Sequence, residues 1–439
     1  MRLQLTNILT KACFLSLIIS ANLASGKKRH KKVTFESEEP TTPLTQSETE
    51  EVQDWAPDAE SVQVIETETE TELPKYIDFR GVVRSSLAMH MALADPNKNS
   101  VCSPISALLP LGKLVLGASG ETETELLNAI GHTREELKPA LGKLIDCLIY
   151  LPGVTLKVAS KIYASQHILL NPKFTKESKK IFHSTIENVD FANRMDTIKN
   201  INNWVKRLTN GMIPNLLSPT DISRESSVIL VNAVYFQGNW KKPFQSAGVS
   251  EFFSPMGARR VPMITDTDRY NYINDDSLSA EILELPYAND NASFVIVLPN
   301  DRNGLPMLLT ALKLAPKLLN KPMKKMTQRT VKVVIPKFKV SSKLDLKHLY
   351  KKIGVNKIFH QRHSELDNIV EGSSVHVSAA IQQAVIEVTE SGTKAAAGTA
   401  SMVMLSSMPV IEILFKANRP FIFFVLANSQ QIFVGVYNS

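Results

Sequence analysis

The chain has 439 residues, 44% of them hydrophobic and 21% charged, with a formal net charge of +7. That balance places it among ordinary globular proteins, with room for one large domain or two to three small ones. Its three cysteines are too few for a disulfide framework in a domain of this size.

Residues 1–26 read as an export signal: Arg2 and Lys11 precede the apolar run Ala12 to Ile19, and Ala24-Ser25-Gly26 offers small residues for cleavage. The run is too short to span a bilayer, so a secreted protein is expected, an uncleaved anchor being the alternative. Cys13 leaves with the signal. Cys102 and Cys147 then either pair or sit as two buried thiols.

Residues 27–74 form an extension. The basic cluster Lys27-Lys28-Arg29-His30-Lys31-Lys32 is followed over residues 36–72 by thirteen Asp or Glu with no Lys or Arg. Glu-Thr repeats and low apolar content predict disorder. Removing the signal (+2) and the extension (−8) from the total of +7 leaves +13 on residues 75–439.

From Tyr76 the texture changes. Ile77, Phe79, Val82, Val83, Leu87 and Met91 recur at helical intervals, and helix-like segments dominate the first third. Strand-like runs follow at Val228–Phe236, Ser293–Leu298, Val331–Ile335, Val385–Val388, Phe421–Ala427 and Ile432–Tyr437. Helices followed by antiparallel-looking strands predict one α+β domain over 75–439. Asn291-Ala292-Ser293 is a sequon in a polar turn, so Asn291 is expected to carry a glycan.

No residue set points to catalysis. None of the serines sits in a G-x-S-x-G elbow. His360 and His363 read as a solvated pair and not as metal ligands, and Gly117-Ala118-Ser119-Gly120 lacks the Lys-Ser/Thr of a phosphate loop. No metal or cofactor is expected. The segment from Lys313 to Lys357 carries fourteen Lys or Arg against Asp345 alone. Such a charge run is commonly a solvated face, but it could hold a glycosaminoglycan or another sulfated polysaccharide, with the acidic extension competing in cis.

The stretch from Val385 to Val410, VIEVTESGTKAAAGTASMVMLSSMPV, is the unusual one. It starts as a strand and then runs through small residues from Ser391 to Ser401 with one charge and no proline before Pro409. It lacks both the polar markers of a loop and the apolar stripe of a helix. As a strand it would alternate: Thr393, Ala395, Ala397, Thr399, Ser401 and Val403 on one face, Lys394, Ala396, Gly398, Ala400 and Met402 on the other. The first set is small and uncharged, so it could enter a sheet without burying an unpaired charge.

Asn99 to Ser106, Val231 to Phe244 (VNAVYFQGNWKKPF), Glu284 to Pro299 (ELPYANDNASFVIVLP), Glu390 to Ala400 (ESGTKAAAGTA) and Ala417 to Val425 (ANRPFIFFV) resemble, in order, the serpins. The resemblance runs from about Tyr76 to Ser439. It implies three β-sheets with about nine helices and an exposed reactive-centre loop at about 390–410. A target serine protease cleaves the loop and is trapped covalently as the loop enters the main sheet. The residues implied for the hinge are Glu390, Gly392, Thr393, Ala395, Ala396, Ala397, Gly398 and Thr399. Trp240 and Lys337 fall at the breach at the top of the sheet, with Glu390 as the partner of Lys337. Ser103, Ser106 and Asn232 fall at the shutter beneath it, where Gln382 replaces the histidine of many relatives. Glutamine can donate and accept as imidazole can.

Counting seventeen residues from Glu390 puts the reactive bond at Ser406-Ser407, while Leu405-Ser406 one bond earlier is the better bait for an apolar pocket. A count back from Pro420 gives a third register near Pro409. Met404 and Met408 are secondary baits. Between Ser401 and Val410 there is no Arg or Lys, which disfavours trypsin-like targets. The resulting expectation is a monomeric, secreted suicide inhibitor of chymotrypsin- or elastase-like proteases, without nucleic-acid or membrane partners. The alternatives are a non-inhibitory serpin acting as carrier or chaperone, and inhibition of cysteine proteases.

Overall fold

A computed structural model describes residues 98–149, 154–182, 184–288, 292–372, 374–391, 412–427 and 430–439, all within one compact unit, Leu73–Ser439. The export signal, the extension and the helix expected at Ile77 to Met91 lie outside the described residues. In chain order the elements are β1 (Ser100–Cys102), α1 (Pro104–Gly117), α2 (Gly120–Ile130), α3 (Arg134–Ile149), β2 (Val154–Ser165), α4 (Pro172–Phe182), β3 (Ile186–Val189), α5 (Arg194–Leu208), β4 (Val228–Gly238), β5 (Gln245–Ser254), β6 (Gly257–Asp275), β7 (Ala280–Pro286) and β8 (Ala292–Pro299). There follow α6 (Leu305–Leu314), α7 (Asn320–Lys325), β9 (Thr327–Pro336), β10 (Phe338–Asp345), α8 (Leu346–Lys352), β11 (Val377–Val388), β12 (Ile413–Lys416), β13 (Phe421–Ala427) and β14 (Gln430–Tyr437).

The strands make two hydrogen-bonded sheets. One has five strands in the order β10-β11-β4-β2-β3, and the other nine in the order β1-β14-β13-β8-β7-β6-β9-β12 with β5 added on β6. The fold is α+β. Two of the three expected sheets are joined because β6, 19 residues long, pairs first with β5, then with β9 and at its end with β7. Eight α-helices fall among the described residues.

Side-chain alternation explains the layering. Along β8, Phe294, Ile296 and Leu298 face a large core shared with Phe236 and Val340 of the five-stranded sheet, while Val295 and Val297 face Leu305, Leu308, Leu309 and Leu312 of α6. With both faces covered, β8 is buried throughout. Helix α1 is buried all round, as a helix between layers must be. It starts at Ser103, whose extended backbone and side-chain oxygen cap Ser106 N at 3.3 Å, with Pro104 next in the first turn. Cys102 is a buried free thiol, which removes the pairing alternative for it. The Cys147 side chain lies outside the described residues.

Candidate functional site

The feature that organises the site is one ladder of the five-stranded sheet. β11 lies parallel to β4 from Val377↔Val228 to Ile386↔Phe236, with a register shift between Val377 and Ala379. On either side the ladders are antiparallel: β2 with β4 over Val154–Ala164, and β10 with β11 over Phe338–Asp345. The β4–β11 contact is thus a parallel seam between two antiparallel blocks, and parallel pairing is slightly the weaker per residue.

At the centre of the seam the uncharged side chains of Gln382, Asn232 and Ser106, with the backbone of Ser103, tie it to the start of α1. Gln382 stands directly opposite Asn232 in the ladder, and its side chain is 0% exposed. Its Oε1 accepts from Ser103 N at 3.1 Å, and its Nε2 donates to Ser103 O at 3.1 Å and to Asn232 Oδ1 at 3.0 Å. Ser106 Oγ donates to the same Asn232 Oδ1 at 2.6 Å, and Asn232 Nδ2 returns a bond to Ser106 O at 3.0 Å. Because Ser103 N can only donate, the amide orientation of Gln382 follows from chemistry. Its two donors and its acceptor are all used, which is what allows so polar a group to be sealed from water.

At the head of the seam the chemistry is different. After Gly238 the chain leaves β4 and brings Trp240 over the end of β11, where its Nε1 donates to Thr389 O at 2.7 Å. Phe244 N donates to Glu390 O at 2.7 Å. Trp240 stacks on Tyr287 with ring centroids 4.7 Å apart and packs edge-on to Phe244 at 5.3 Å. Gly238 makes room for that stack, since a Cβ there would lie 2.5 Å from the Tyr287 ring. Lys337, immediately before β10, reaches the Glu390 carboxylate at 2.9 and 3.2 Å. The Lys337 hydrogen bond holds that carboxyl below its usual range against the opposing effect of partial burial.

Two further restraints act on the seam. At its foot Val228 N donates to His376 O at 3.2 Å and Ser227 N to Ser378 Oγ at 2.9 Å. Across its open face, Ile198, Ile201 and Val205 of α5, with Ile213, Leu216 and Leu217 beyond it, pack in one cluster on Val231, Ala233 and Tyr235 of β4 and on Ile381 and Val385 of β11. The segment that follows α5 is fastened to β10 by Lys343 Nζ and Asp221 Oδ2 at 2.6 Å. Burial opposes the Asp221 charge, but hydrogen bonds from Lys343 and Ser218 keep its carboxyl below the usual range.

A family model described as serpin (serine protease inhibitor) matches residues 84–439. The chain belongs to the serpin family. Antichymotrypsin-2 of Bombyx mori is 36% identical over 349 residues, covering 78% of this chain and 92% of the relative. Antitrypsin of the same organism is 34% identical over 349 residues, 78% of this chain and 88% of the relative. Among solved structures, Serpin48 of the insect Tenebrio molitor superposes with a TM-score of 0.74 at 29% identity, covering 84% of this chain and 99% of that one. The family is one of protease inhibitors and not of enzymes, and its fold is the one described above.

In this serpin the residues singled out from sequence fall into three groups. Ser103, Ser106, Asn232 and Gln382 meet at the centre of the seam, and Trp240, Lys337 and Glu390 meet at its head. Gly392, Thr393, Ala395, Ala396, Ala397, Gly398 and Thr399, the bond candidates Leu405, Ser406 and Ser407, and the sequon Asn291 lie outside the described residues. The basic run divides. Lys337, Lys343 and Lys357 are in ion pairs with Glu390, Asp221 and Glu121, whereas Lys313, Lys317, Lys321, Lys324 and Lys325 are exposed on α6, α7 and the turn between them. His360 and His363 are both exposed and near a turn, with no metal-binding group of side chains among the described residues.

Sequence reasoning missed Gly238, Tyr287, Phe244 and Asp221. The stretch VYFQGNWKKPF contains the first and third, beside Trp240, and could have marked them. Nothing local marks Tyr287, whose ring partners are distant in sequence, and only the Ser218 turn lies near Asp221, its Lys343 partner being distant.

Proposed function

We propose that this serpin is a secreted, single-use inhibitor of chymotrypsin- or elastase-like serine proteases that traps its target by the strand insertion known in its family. The observation that carries the reading is the closed parallel seam with its loop attachment. The segment after Glu390 starts at the head of β11 and can only return along the sheet by doubling back. It would then run antiparallel to β11, and, because β4 is parallel to β11, antiparallel to β4 as well. Insertion would replace one parallel ladder by two antiparallel ones, which favours the inserted state on backbone pairing alone.

The hinge composition supports this reading. Thr393, Ala395, Ala397 and Thr399 are small and uncharged, and proline is absent until Pro409, so nothing in the sequence would strip a ladder donor or bury a charge. Hydrogen bonds from Trp240 and Phe244 to the end of β11 would be the first to yield, and the Gln382 clamp the next.

The protease class rests on the loop residues. Relatives named antichymotrypsin and antitrypsin match the body almost equally, at 36% and 34%, so the body does not choose between them. Leu405 before Ser406 suits an apolar pocket, which gains roughly 1.5–3 kcal/mol from burying a leucine. The signal at residues 1–26 and a glycan on Asn291 complete the reading of an extracellular protein. The lysines of the Lys313 to Lys357 run that have no ion pair among the described residues are the part of it open to a sulfated polysaccharide.

Incubation with chymotrypsin, elastase and trypsin tests the proposal. The expected result is an SDS-stable complex with the first or second and a released peptide beginning at Ser406. Clipping by every protease without a complex, and without a rise in thermal stability, would leave the carrier or chaperone alternative.

A further inference from the structure

Residues 305–326 hold five lysines, Lys313, Lys317, Lys321, Lys324 and Lys325, and no Asp or Glu. Among the described residues none of the five has a carboxylate within ion-pair distance, unlike Lys337, Lys343 and Lys357 in the second half of the same run. The same segment exposes large apolar side chains: Leu314 is 81% exposed, Met307 69% and Leu318 41%. Met307 and Leu314 are seven residues apart and so lie on one stripe of α6, while Leu305, Leu308, Leu309 and Leu312 fill the other side against β8. The 3-10 turn Pro316–Leu319 carries Leu318 and Lys317 directly onward into α7.

A sulfated polysaccharide would reward the lysines but gains nothing from exposed leucines. An anionic bilayer rewards both, because cations sit at the headgroups and short apolar side chains enter the acyl boundary beneath them. We propose that α6, the 3-10 turn and α7 form a docking face for an anionic lipid membrane surface, with Met307, Leu314 and Leu318 entering the bilayer and the five lysines meeting its headgroups. Such docking is peripheral. It needs no spanning segment, and no helix among the described residues is long and apolar enough to cross a membrane. The apolar side of α6 rests on the face of the nine-stranded sheet that points away from the five-stranded sheet. A docked molecule therefore keeps the β4–β11 seam uncovered and free to take up the loop.

The test is co-sedimentation of the full chain with phosphatidylcholine vesicles with and without about a quarter phosphatidylserine. Binding is expected only with phosphatidylserine, and it should weaken when salt rises from roughly 0.15 to 0.5 M. The double variant Leu314→Ser/Leu318→Ser should bind at least about tenfold more weakly, and Lys317→Gln/Lys321→Gln should weaken binding and flatten its salt dependence. Met307→Ser alone provides a milder apolar variant. Protease inhibition and the thermal midpoint should be unchanged in all three, which shows that the fold survives. Absence of vesicle binding by the native chain overturns the proposal. So does binding that the serine variants leave intact, with heparin affinity lost only in the lysine variant, since the face then serves a polysaccharide.

Discussion

At its centre the β4–β11 seam is held by three uncharged side chains and the Ser103 backbone, all sealed from water, and at its head by an indole, a backbone N–H and an ion pair that water reaches. The central clamp has every donor and acceptor of Gln382 matched, so it is rigid and expensive to open by halves. The head is a series of separate contacts on Thr389, Glu390 and the Glu390 carboxylate, which can be released one after another. A seam built this way should part from the head, where each step is small, and halt at the centre, where the next step is large.

The sharpest way to break that contrast is Trp240→Ala. Removing a buried aromatic side chain costs about 3–5 kcal/mol, and here it also removes the indole hydrogen bond to Thr389 O and leaves Tyr287 and Phe244 without their shared neighbour. The expected outcome is a lower urea midpoint and, under the proposed insertion mechanism, faster spontaneous insertion of the uncut loop with loss of inhibitory activity on incubation. If stability falls but the inactivation rate does not, the head does not gate the seam.

Gln382→Ala is the next in size. It strands Ser103 N in a buried setting and leaves Asn232 Oδ1 with Ser106 Oγ as its remaining donor, for about 1–3 kcal/mol, and should accelerate the same inactivation. Gln382→His sharpens the comparison. Glutamine does not titrate, so the native inactivation rate should be flat between about pH 5 and 8, whereas a histidine with an ordinary pKa near 6.5 changes charge in that window. The imidazolium cannot accept from Ser103 N, so the variant should inactivate faster as the pH falls. A native rate that itself varies over this range would place the controlling group elsewhere.

The smallest effect belongs to the ion pair. Glu390 has its carboxyl lowered by Lys337, so its contribution is complete above about pH 4.3 and is lost as the pH falls through the lowered value. The pair is half exposed, and Glu390→Gln should cost no more than about 1 kcal/mol. Native protein and variant should therefore inactivate at similar rates in acid and differ slightly at neutral pH. Equal rates at both would show that the hydrogen bonds from Trp240 Nε1 and Phe244 N hold the head without the ion pair.

Much of the architecture was legible before any coordinates. The strands expected at Val228–Phe236 and Phe421–Ala427 are β4 and β13, because their apolar runs are long enough to be buried on both faces. The strand expected at Val385–Val388 extends back to Val377, because Ser378, Ala379, Gln382 and Gln383 have weak strand preference and are held by pairing on both sides. β5, β6 and β10 gave no such signal; their burial is partial and their side chains mixed. At the site, Gln382, Asn232, Ser103 and Ser106 could be named only through family resemblance. No local pattern joins residues 103 and 382, which meet because α1 begins beneath the seam. Asp221 and Tyr287 escaped for the same reason.

The arrangement of ladders has a mechanical consequence. β3, β2 and β4 form one plate, with eleven paired positions between β2 and β4, and β10 with β11 forms another, with eight. The plates meet along a single line, pinned near its midpoint. Opening need not bend any strand: it is a separation of two stiff bodies, and the work falls on the one parallel ladder, the α5 residues packed across it and the few side chains that cross the line. Substitutions well inside either plate should change how hard the molecule is to melt while leaving its time of closure almost untouched.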